Sequence, residues 1–179
     1  MPYSDSRFDK TVEKFVKTHK FKDYFDVGAG AGKYGGMIRN IYPEANIIGI
    51  EADKSYINNF KLKNIYSNIR HESIEHFMDQ NPDFQTELAI IGDCLEHLKK
   101  SDGIDLINYL IYRTKHILIV YPTKCIQYSW QGHSTEAHRS IWSIKDFSNL
   151  KAQIFKKDFM NLVILKGYIG DPEAITVND

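Results

Sequence analysis

Cysteine is scarce in this sequence of 179 residues, which contains only Cys94 and Cys125. Two cysteines cannot form the framework of several disulfides that stabilises small secreted domains, and their spacing is not that of a zinc site. An excess of charge is also lacking, because 23 basic residues balance 23 acidic residues. A chain with no net charge has no overall field that attracts a polyanion, so nucleic acid is not the partner that we expect.

Long apolar runs are absent as well. No run approaches the roughly 18 residues that a membrane-spanning helix requires, and the first residues lack the basic and apolar regions of a signal peptide. We therefore expect a cytoplasmic protein that does not bind membranes. The length is below the roughly 250 residues at which chains divide into separate cores, so we expect a single domain over residues 1–179, as a monomer or a homodimer.

A glycine-rich segment near the N-terminus carries most of the information. Aromatic and β-branched residues from Lys22 to Val27 predict a strand, and apolar residues at helical spacing from Tyr34 to Tyr42 predict a helix. Between them lie glycines at alternate positions: Gly28, Gly30 and Gly32. Glycine lets a ligand approach the backbone closely, and a helix start offers unpaired N–H groups. The segment therefore predicts a site for a nucleotide-like or carboxylate-bearing ligand.

Short helices and strands alternate along the rest of the chain. The patterns predict helices within residues 1–20, 53–62, 73–78 and 101–113, and strands at residues 47–51, 65–70, 87–92 and 116–121. Two further extended runs, at residues 152–155 and 161–168, have no helix between them and predict a terminal hairpin. This order predicts an α/β three-layer sandwich with a mostly parallel seven-stranded sheet and a C-terminal antiparallel hairpin. Ligands of such folds bind at the carboxyl ends of the strands.

The string Asp26-x-Gly28-x-Gly30-x-Gly32 resembles motif I of the class I S-adenosylmethionine-dependent methyltransferases. The order of elements from residue 21 to residue 168 resembles that family too. The resemblance implies a Rossmann-like fold, S-adenosylmethionine as the cofactor and methyl transfer as the activity. One alternative stays open, because residues 30–35 also form the G-x-G-x-x-G pattern of dinucleotide-binding proteins, with the acidic Glu51 about 20 residues further on.

The resemblance also implies which residues bind the cofactor. Glu51 would accept hydrogen bonds from both ribose hydroxyls, which suits the two oxygens of a carboxylate. Asp26 would orient the aminoacyl part, and since a buried, isolated Asp is costly, we expect it to have a partner such as the ammonium of the ligand. Ser73 would contact the adenine ring, or would only cap a helix. The full implied set is Asp26, Gly28, Ala29, Gly30, Gly32, Tyr34, Glu51, Ala52, Glu72, Ser73 and Asp93.

The methyl acceptor is expected on the other side of the cofactor. Residues 91–98 resemble motif IV of many small-molecule methyltransferases, which implies that Asp93 faces the methyl group. A long segment at residues 122–143 is rich in aromatic and histidine residues, and we expect it to be a loop that holds the acceptor, a small molecule with a hydroxyl or an amine. A hydroxyl must lose its proton, and histidine is a natural base. The candidate catalytic residues are His133, His138 and His97, together with Asp93.

Two alternatives use the same residues differently. Asp93-x-x-Glu96-His97, together with His133 or His138, resembles the metal site of the small-RNA 3′-terminal 2′-O-methyltransferases, where a divalent ion binds the terminal ribose hydroxyls. The preferred interpretation assigns no metal ligand, because Asp93 replaces a Glu of that pattern and the chain has no net charge. The second alternative is a catalytically silent subunit that keeps the cofactor pocket. An intact motif I and a polar acceptor loop argue against it.

Overall fold

Seven strands form one sheet in the computed structural model, which describes residues 3–174. The strands are β1 (Asp23–Val27), β2 (Asn46–Glu51), β3 (Asn68–His71), β4 (Leu88–Gly92), β5 (His116–Pro122), β6 (Ala152–Lys157) and β7 (Met160–Lys166). Their order across the sheet is β3-β2-β1-β4-β5-β7-β6. The first five strands are parallel, whereas β7 pairs antiparallel with both β5 and β6. The predicted fold class is therefore confirmed.

Five helices connect or flank the strands. They are α1 (Asp9–His19), α2 (Lys33–Ile41), α3 (Lys54–Asn59), α4 (Ile74–Gln80) and α5 (Lys100–Ile111). The predicted cap of α4 is present, because the Ser73 side chain accepts a hydrogen bond from the N–H of His76 at 3.2 Å. Within the described part of the chain, no helix has both the length and the apolar character that crossing a membrane requires.

Two apolar layers sandwich the sheet, because successive side chains of a strand point to opposite faces. In β4, Leu88 and Ile90 pack with the core that includes α1 and α2, whereas Ala89 and Ile91 pack with the core that includes α4 and α5. All four side chains are buried. Burial on both faces explains the nearly continuous apolar run of this strand and fixes its carboxyl end between the two layers.

The third strand begins later than its apolar pattern predicts. A strand was expected over residues 65–70, but a short 3-10 turn at Leu62–Asn64 precedes β3 at Asn68–His71. The reason is that Leu62 and Ile65 pack against the glycine loop: a Cβ atom at Gly32 would lie 2.8 Å and 2.9 Å from their methyl groups. Apolar residues that shield the loop thus resemble the start of a strand in the sequence.

The loop predicted over residues 122–143 is irregular from residue 123 onward, because Pro122 still belongs to β5, and it contains one short 3-10 turn at Ser134–Glu136. The loop is held in place by Trp142, which is 1% exposed and packs on α5, where a Cβ atom at Gly103 would lie 2.5 Å from the indole ring. The Trp142 Nε1–H donates to the carbonyl oxygen of Leu95 at 3.2 Å. The loop is therefore attached to the segment that follows β4.

Candidate functional site

The glycine loop after β1 is shaped by its contact with β2. Gly28, Gly30 and Gly32 all have positive φ angles, of 71°, 53° and 79°. The N–H groups of Gly28 and Ala29 donate to the carbonyl oxygen of Ile50 at 3.0 and 2.9 Å. A Cβ atom at Gly28 would lie 2.4 Å from the Sγ atom of Cys94, so both conformation and space require glycine there.

Glu51 joins this loop to the end of β2. Its Oε2 atom accepts a hydrogen bond from the N–H of Gly30 at 2.7 Å, and its Oε1 atom accepts one from the N–H of Asp53 at 2.8 Å. Burial raises the pKa of this carboxyl group, although the two N–H donors oppose the shift. Each oxygen keeps a further lone pair, so the carboxylate can accept two more hydrogen bonds from a ligand.

A cavity of about 320 Å³ lies at the carboxyl ends of the parallel strands. Its volume is within the range of about 300 to 1,000 Å³ that is typical of small-molecule sites. Of the residues implied by the sequence, it is lined by Gly28, Gly30, Glu51, Ala52, Glu72, Ser73, Asp93 and His97. The other implied residues are not in its lining: Asp26, Ala29, Gly32, Tyr34, His133 and His138. Two of these, Gly32 and Tyr34, shape the loop and its helix instead.

Asp26 has a partner, but the protein itself supplies it. The Oδ2 atom accepts hydrogen bonds from the Tyr66 hydroxyl at 2.6 Å and from the N–H of Gly35 at 3.1 Å. The side chain is 2% exposed, and burial raises its pKa to about 7 against the opposing effect of both donors. Gly35 makes room for this contact, because a Cβ atom there would lie 2.4 Å from the Tyr66 ring.

Asp93 lies at the end of β4 in the left-handed backbone region, with a φ of 48°. Its Oδ2 atom accepts a hydrogen bond from the N–H of Asp5 at 2.8 Å, and burial raises its pKa to about 6. The N-terminal segment thus closes this side of the cavity. The Lys33 Nζ atom holds the segment by donating to the carbonyl oxygens of Ser4 at 3.2 Å and Asp5 at 2.6 Å.

The two residues expected near an adenine ring lie on the opposite side of the cavity. Glu72 and Ser73 directly follow β3. The Glu72 carboxylate pairs with the guanidinium of Arg70, and the Ser73 hydroxyl is used as the cap of α4. The apolar side chain of Ile74 lines the cavity next to them.

Three of the chemically active side chains converge beside the cavity: Glu96, His97 and His138. One potential ligand atom from each lies within 4.8 Å of the others. Glu96 is 3% exposed, its Oε2 atom has no hydrogen-bond partner among the described residues, and burial raises its pKa well above the usual value. Burial lowers the pKa of His97.

The two histidines of this cluster are oriented by backbone carbonyl groups. His97 Nδ1 lies 3.3 Å from the carbonyl oxygen of Ala137, and His138 Nδ1 lies 2.9 Å from that of Cys125. Because a carbonyl oxygen only accepts, Nδ1 carries the proton in the neutral form of each ring, and Nε2 has the free lone pair. Each neutral ring can therefore bind a metal ion or accept a proton through Nε2.

His133 lies apart from this cluster. Its Nδ1 atom is 2.5 Å from the Oδ2 atom of Asp53, and its ring packs against Tyr56 at a centroid distance of 5.0 Å. Burial alone would raise the pKa of Asp53, but hydrogen bonds from Ser55 and His133 lower it overall. The contact attaches the loop to the start of α3. Since the ring does not line the cavity, the geometry gives His133 an anchoring role.

The cavity also has lining residues that the sequence patterns did not identify. Ser4 reaches it from the N-terminal segment, Tyr56 from α3, and Glu136 and Arg139 from the loop. The Tyr56 hydroxyl donates to Glu136 at 2.9 Å. These contacts join segments up to 88 residues apart, such as the bond from Ser4 Oγ to the carbonyl oxygen of Gly92. No local pattern in the sequence contains that information.

Several solved structures that superpose on this chain are methyltransferases. A bacterial CtHen1-C methyltransferase domain superposes with a TM-score of 0.65 at 14% identity, over 88% of this chain and 95% of that domain. The plantazolicin methyltransferase BpumL, in complex with SAH, gives a TM-score of 0.64 at 14% identity, over 89% of this chain and 82% of that protein. An O-methyltransferase family protein from Burkholderia thailandensis gives 0.61 at 11% identity.

The match to the Burkholderia protein covers 90% of this chain but 56% of that chain, so this chain spans little more than half of its length. No protein-family model matches the chain, and no curated protein does. At identities of 11–14%, what the superpositions establish is the architecture. The chain has the Rossmann-like fold that S-adenosylmethionine-dependent methyltransferases share, as the resemblance of its motifs implied.

Proposed function

We propose that this chain is an S-adenosylmethionine-dependent methyltransferase that acts on a hydroxyl or an amine of a small molecule. The observation that carries the proposal is the cavity lined by the glycine loop, Glu51, Asp93 and His97, with Glu96 and His138 directly next to His97. One half suits a nucleoside with two adjacent hydroxyls, and the other half suits a group that must lose a proton. A methyltransferase that acts on a hydroxyl uses both.

The residues of the first half fit the cofactor. The Glu51 oxygens keep lone pairs for the ribose hydroxyls, and Ile74, beside Ser73, offers an apolar contact for the adenine ring. Several carboxylates in the lining suit a cationic molecule. When bound, S-adenosylmethionine supplies a methyl group on a positively charged sulfur. This protein would align the acceptor so that its reacting atom lies about 3 to 3.5 Å from the methyl carbon. Such alignment is a large part of catalysis in displacement reactions.

His97 is the group to which we assign the proton of a hydroxyl acceptor. Its lowered pKa keeps the ring neutral near pH 7, and its Nδ1 contact with Ala137 leaves the Nε2 lone pair free. His138 is 4.9 Å away between ring centroids and provides a second base, since a carbonyl oxygen at its Nδ1 likewise leaves the Nε2 lone pair free. We therefore expect His97→Ala to lower turnover by about 10²- to 10⁴-fold while cofactor binding is kept.

Calorimetric titration with S-adenosylmethionine, S-adenosylhomocysteine and NAD tests the cofactor assignment. We expect both adenosyl ligands to bind and NAD not to bind. Glu51→Gln should weaken binding by about 10- to 100-fold, because a hydrogen bond to a charged group contributes about 1.5 to 3 kcal/mol. Glu44→Gln, at an exposed position in the turn before β2, is the matched control and should bind normally. Binding of NAD alone would contradict the proposal. Normal cofactor binding without turnover on any acceptor pool would favour the silent subunit.

A second function is favoured by one specific observation, the convergence of Glu96, His97 and His138 with the unpartnered Oε2 atom of Glu96. One carboxylate and two imidazoles suit a divalent transition metal. Such an ion could orient the terminal hydroxyls of an RNA, as the sequence resemblance implied, and a CtHen1-C domain is among the structural neighbours. Asp93 and His133 belong to the resembling motif, but neither is in this group of three.

Titration of the protein with Mn²⁺ separates the two functions. Metal binding that is lost in His138→Ala, and kept in the control His19→Ala at the exposed end of α1, would establish the metal site. Methylation of RNA with a free 3′ end, dependent on the metal and abolished by a 3′ phosphate, would favour the second function. Turnover of a small acceptor without added metal would favour the first.

A further inference from the structure

Arg139 is the single Lys or Arg residue among the described residues that line the cavity. It belongs to the loop of residues 122–143 and comes directly after His138. The lining contains five acidic residues besides, namely Glu51, Glu72, Glu75, Asp93 and Glu136. The guanidinium of Arg139 is a permanent positive charge among acidic residues, because it cannot lose its proton. The contacts of Arg139 and of the acidic residues around it therefore decide whether the guanidinium is free to bind an anionic ligand.

The backbone of Arg139 is held firmly beside the candidate base. The N–H groups of Arg139 and Ser140 both donate to the carbonyl oxygen of Glu96, at 2.7 and 3.1 Å. Ser140 Oγ donates to the carbonyl oxygen of Leu95 at 3.3 Å, and the buried Trp142 anchors the loop behind them. The backbone of Arg139 is thus attached to the segment that carries Glu96 and His97.

Most of the carboxylates in the lining have hydrogen-bond donors within the protein, whereas the guanidinium of Arg139 has no acceptor among the described residues. Four of the five carboxylates are bound by protein donors: Glu51 by two N–H groups, Glu72 by Arg70, Asp93 by the N–H of Asp5, and Glu136 by Tyr56. The guanidinium of Arg139, by contrast, makes no hydrogen bond or ion pair within residues 3–174. The protein thus satisfies most of the anions in the lining and leaves its cation available.

We propose that Arg139 determines acceptor specificity by binding an oxyanion, a carboxylate or a phosphate, that lies close to the hydroxyl to be methylated. The planar guanidinium matches both groups with two parallel hydrogen bonds. An acceptor held in this way presents its neighbouring hydroxyl to His97 and His138. This inference rests on the proposed function and narrows its substrate class to hydroxy acids and hydroxylated phosphate esters.

The test is a titration of isotope-labelled protein followed by nuclear magnetic resonance, with and without S-adenosylhomocysteine. The side-chain N–H signal of Arg139 reports binding. Two matched pairs of probes are used: salicylate against salicylamide, and phenyl phosphate against phenol. We expect the anions to shift the signal saturably and the neutral analogues to leave it unchanged. The anion that binds more tightly identifies the carboxylate or the phosphate as the natural group.

Two variants complete the test. Arg139→Gln should weaken binding of the anions by about 10- to 100-fold, as expected for loss of a charge-assisted pair. Lys99→Gln removes the same charge from an exposed position just outside the cavity lining and should change nothing. Equal binding of anions and neutral analogues, or unchanged binding in Arg139→Gln, would overturn the proposal.

One further result would overturn it for a different reason. If S-adenosylhomocysteine itself shifts the Arg139 signal and prevents binding of the anions, the guanidinium binds the carboxylate of the cofactor and not that of an acceptor. Failure of S-adenosylhomocysteine to bind at all would instead contradict the proposed function. In that case the titration of the free protein still shows whether Arg139 binds oxyanions, so the two failures are distinguishable.

Discussion

Asp26 should contribute less to the free energy of unfolding as the pH rises towards neutrality. The folded state holds this carboxyl group at 2% exposure, and burial raises its pKa to about 7, while the Tyr66 hydroxyl and the Gly35 N–H lower it. An aspartate in an unfolded chain has a pKa of about 3.9. Between these two values the folded state binds more protons than the unfolded state. The free energy of unfolding therefore decreases as the pH rises through that window.

The size of the decrease follows from the shift. One pKa unit corresponds to about 1.4 kcal/mol, so a shift of about three units is worth about 4 kcal/mol, of which roughly 3 kcal/mol is lost between about pH 5 and pH 8. Asp26→Asn keeps an acceptor oxygen but cannot ionise. The variant should therefore gain roughly 3 kcal/mol relative to the wild type over the same range. Tyr66→Phe removes a hydrogen-bond donor to the carboxylate and should make the decrease steeper.

Urea unfolding of the three proteins at a series of pH values measures these differences, since the free energy extrapolates linearly to water. Comparing each variant with the wild type cancels the contributions of the other carboxyl groups. Parallel curves for the wild type and Asp26→Asn would show that Asp26 ionises normally in the folded state. That result would refute the conclusion that burial raises the pKa of Asp26 to about 7.

Two further predictions concern the walls of the cavity. Gly28→Ala should abolish binding of S-adenosylhomocysteine and lower the stability, because the new Cβ atom would lie 2.4 Å from Cys94 at a positive φ. Gly36→Ala is the control in α2, where the new Cβ atom would meet no atom within 4 Å outside the backbone of its own helix. This variant should raise the free energy of unfolding by about 0.5 to 1 kcal/mol. Lys33→Met should accelerate amide hydrogen exchange at Asp5 without changing exchange in α5, as measured by mass spectrometry. Equal effects of the two glycine variants, or slow exchange in Lys33→Met, would contradict these contacts.

The half of the cavity to which we assign the cofactor was predictable because its parts are local. The glycine loop and the end of β2 each follow directly from a strand, and the carboxyl ends of parallel strands meet at one edge of the sheet. Placing Glu51 beside Gly30 therefore needs only the strand pattern and the order of elements. In the structure the two are joined by a hydrogen bond of 2.7 Å. The same reasoning placed Glu72 and Ser73 in the lining, although β3 begins later than predicted.

The partners of these residues were not predictable, because they come from distant parts of the chain. Asp26 was expected to have a partner, with the ammonium of a ligand as the example, and Tyr66 provides a hydrogen bond from 40 residues away. Nothing in the pattern around Tyr66 distinguishes it from the start of a strand. The N-terminal contact to Asp93 spans 88 residues and involves a backbone N–H, which no side-chain motif encodes.

The choice between the two loop histidines shows most directly how tertiary structure adds to a motif. His133 and His138 both belong to the loop and were both candidates for the base from their chemistry. The fold separates them, since His133 pairs with Asp53 beside α3, whereas His138 lies next to His97 and Glu96. The anchor of that arrangement is the carbonyl oxygen of Glu96, which accepts the N–H groups of Arg139 and Ser140. A single backbone group thus holds the backbone of Arg139 beside Glu96 and His97, and the proposed roles of His97 and Arg139 both depend on that contact.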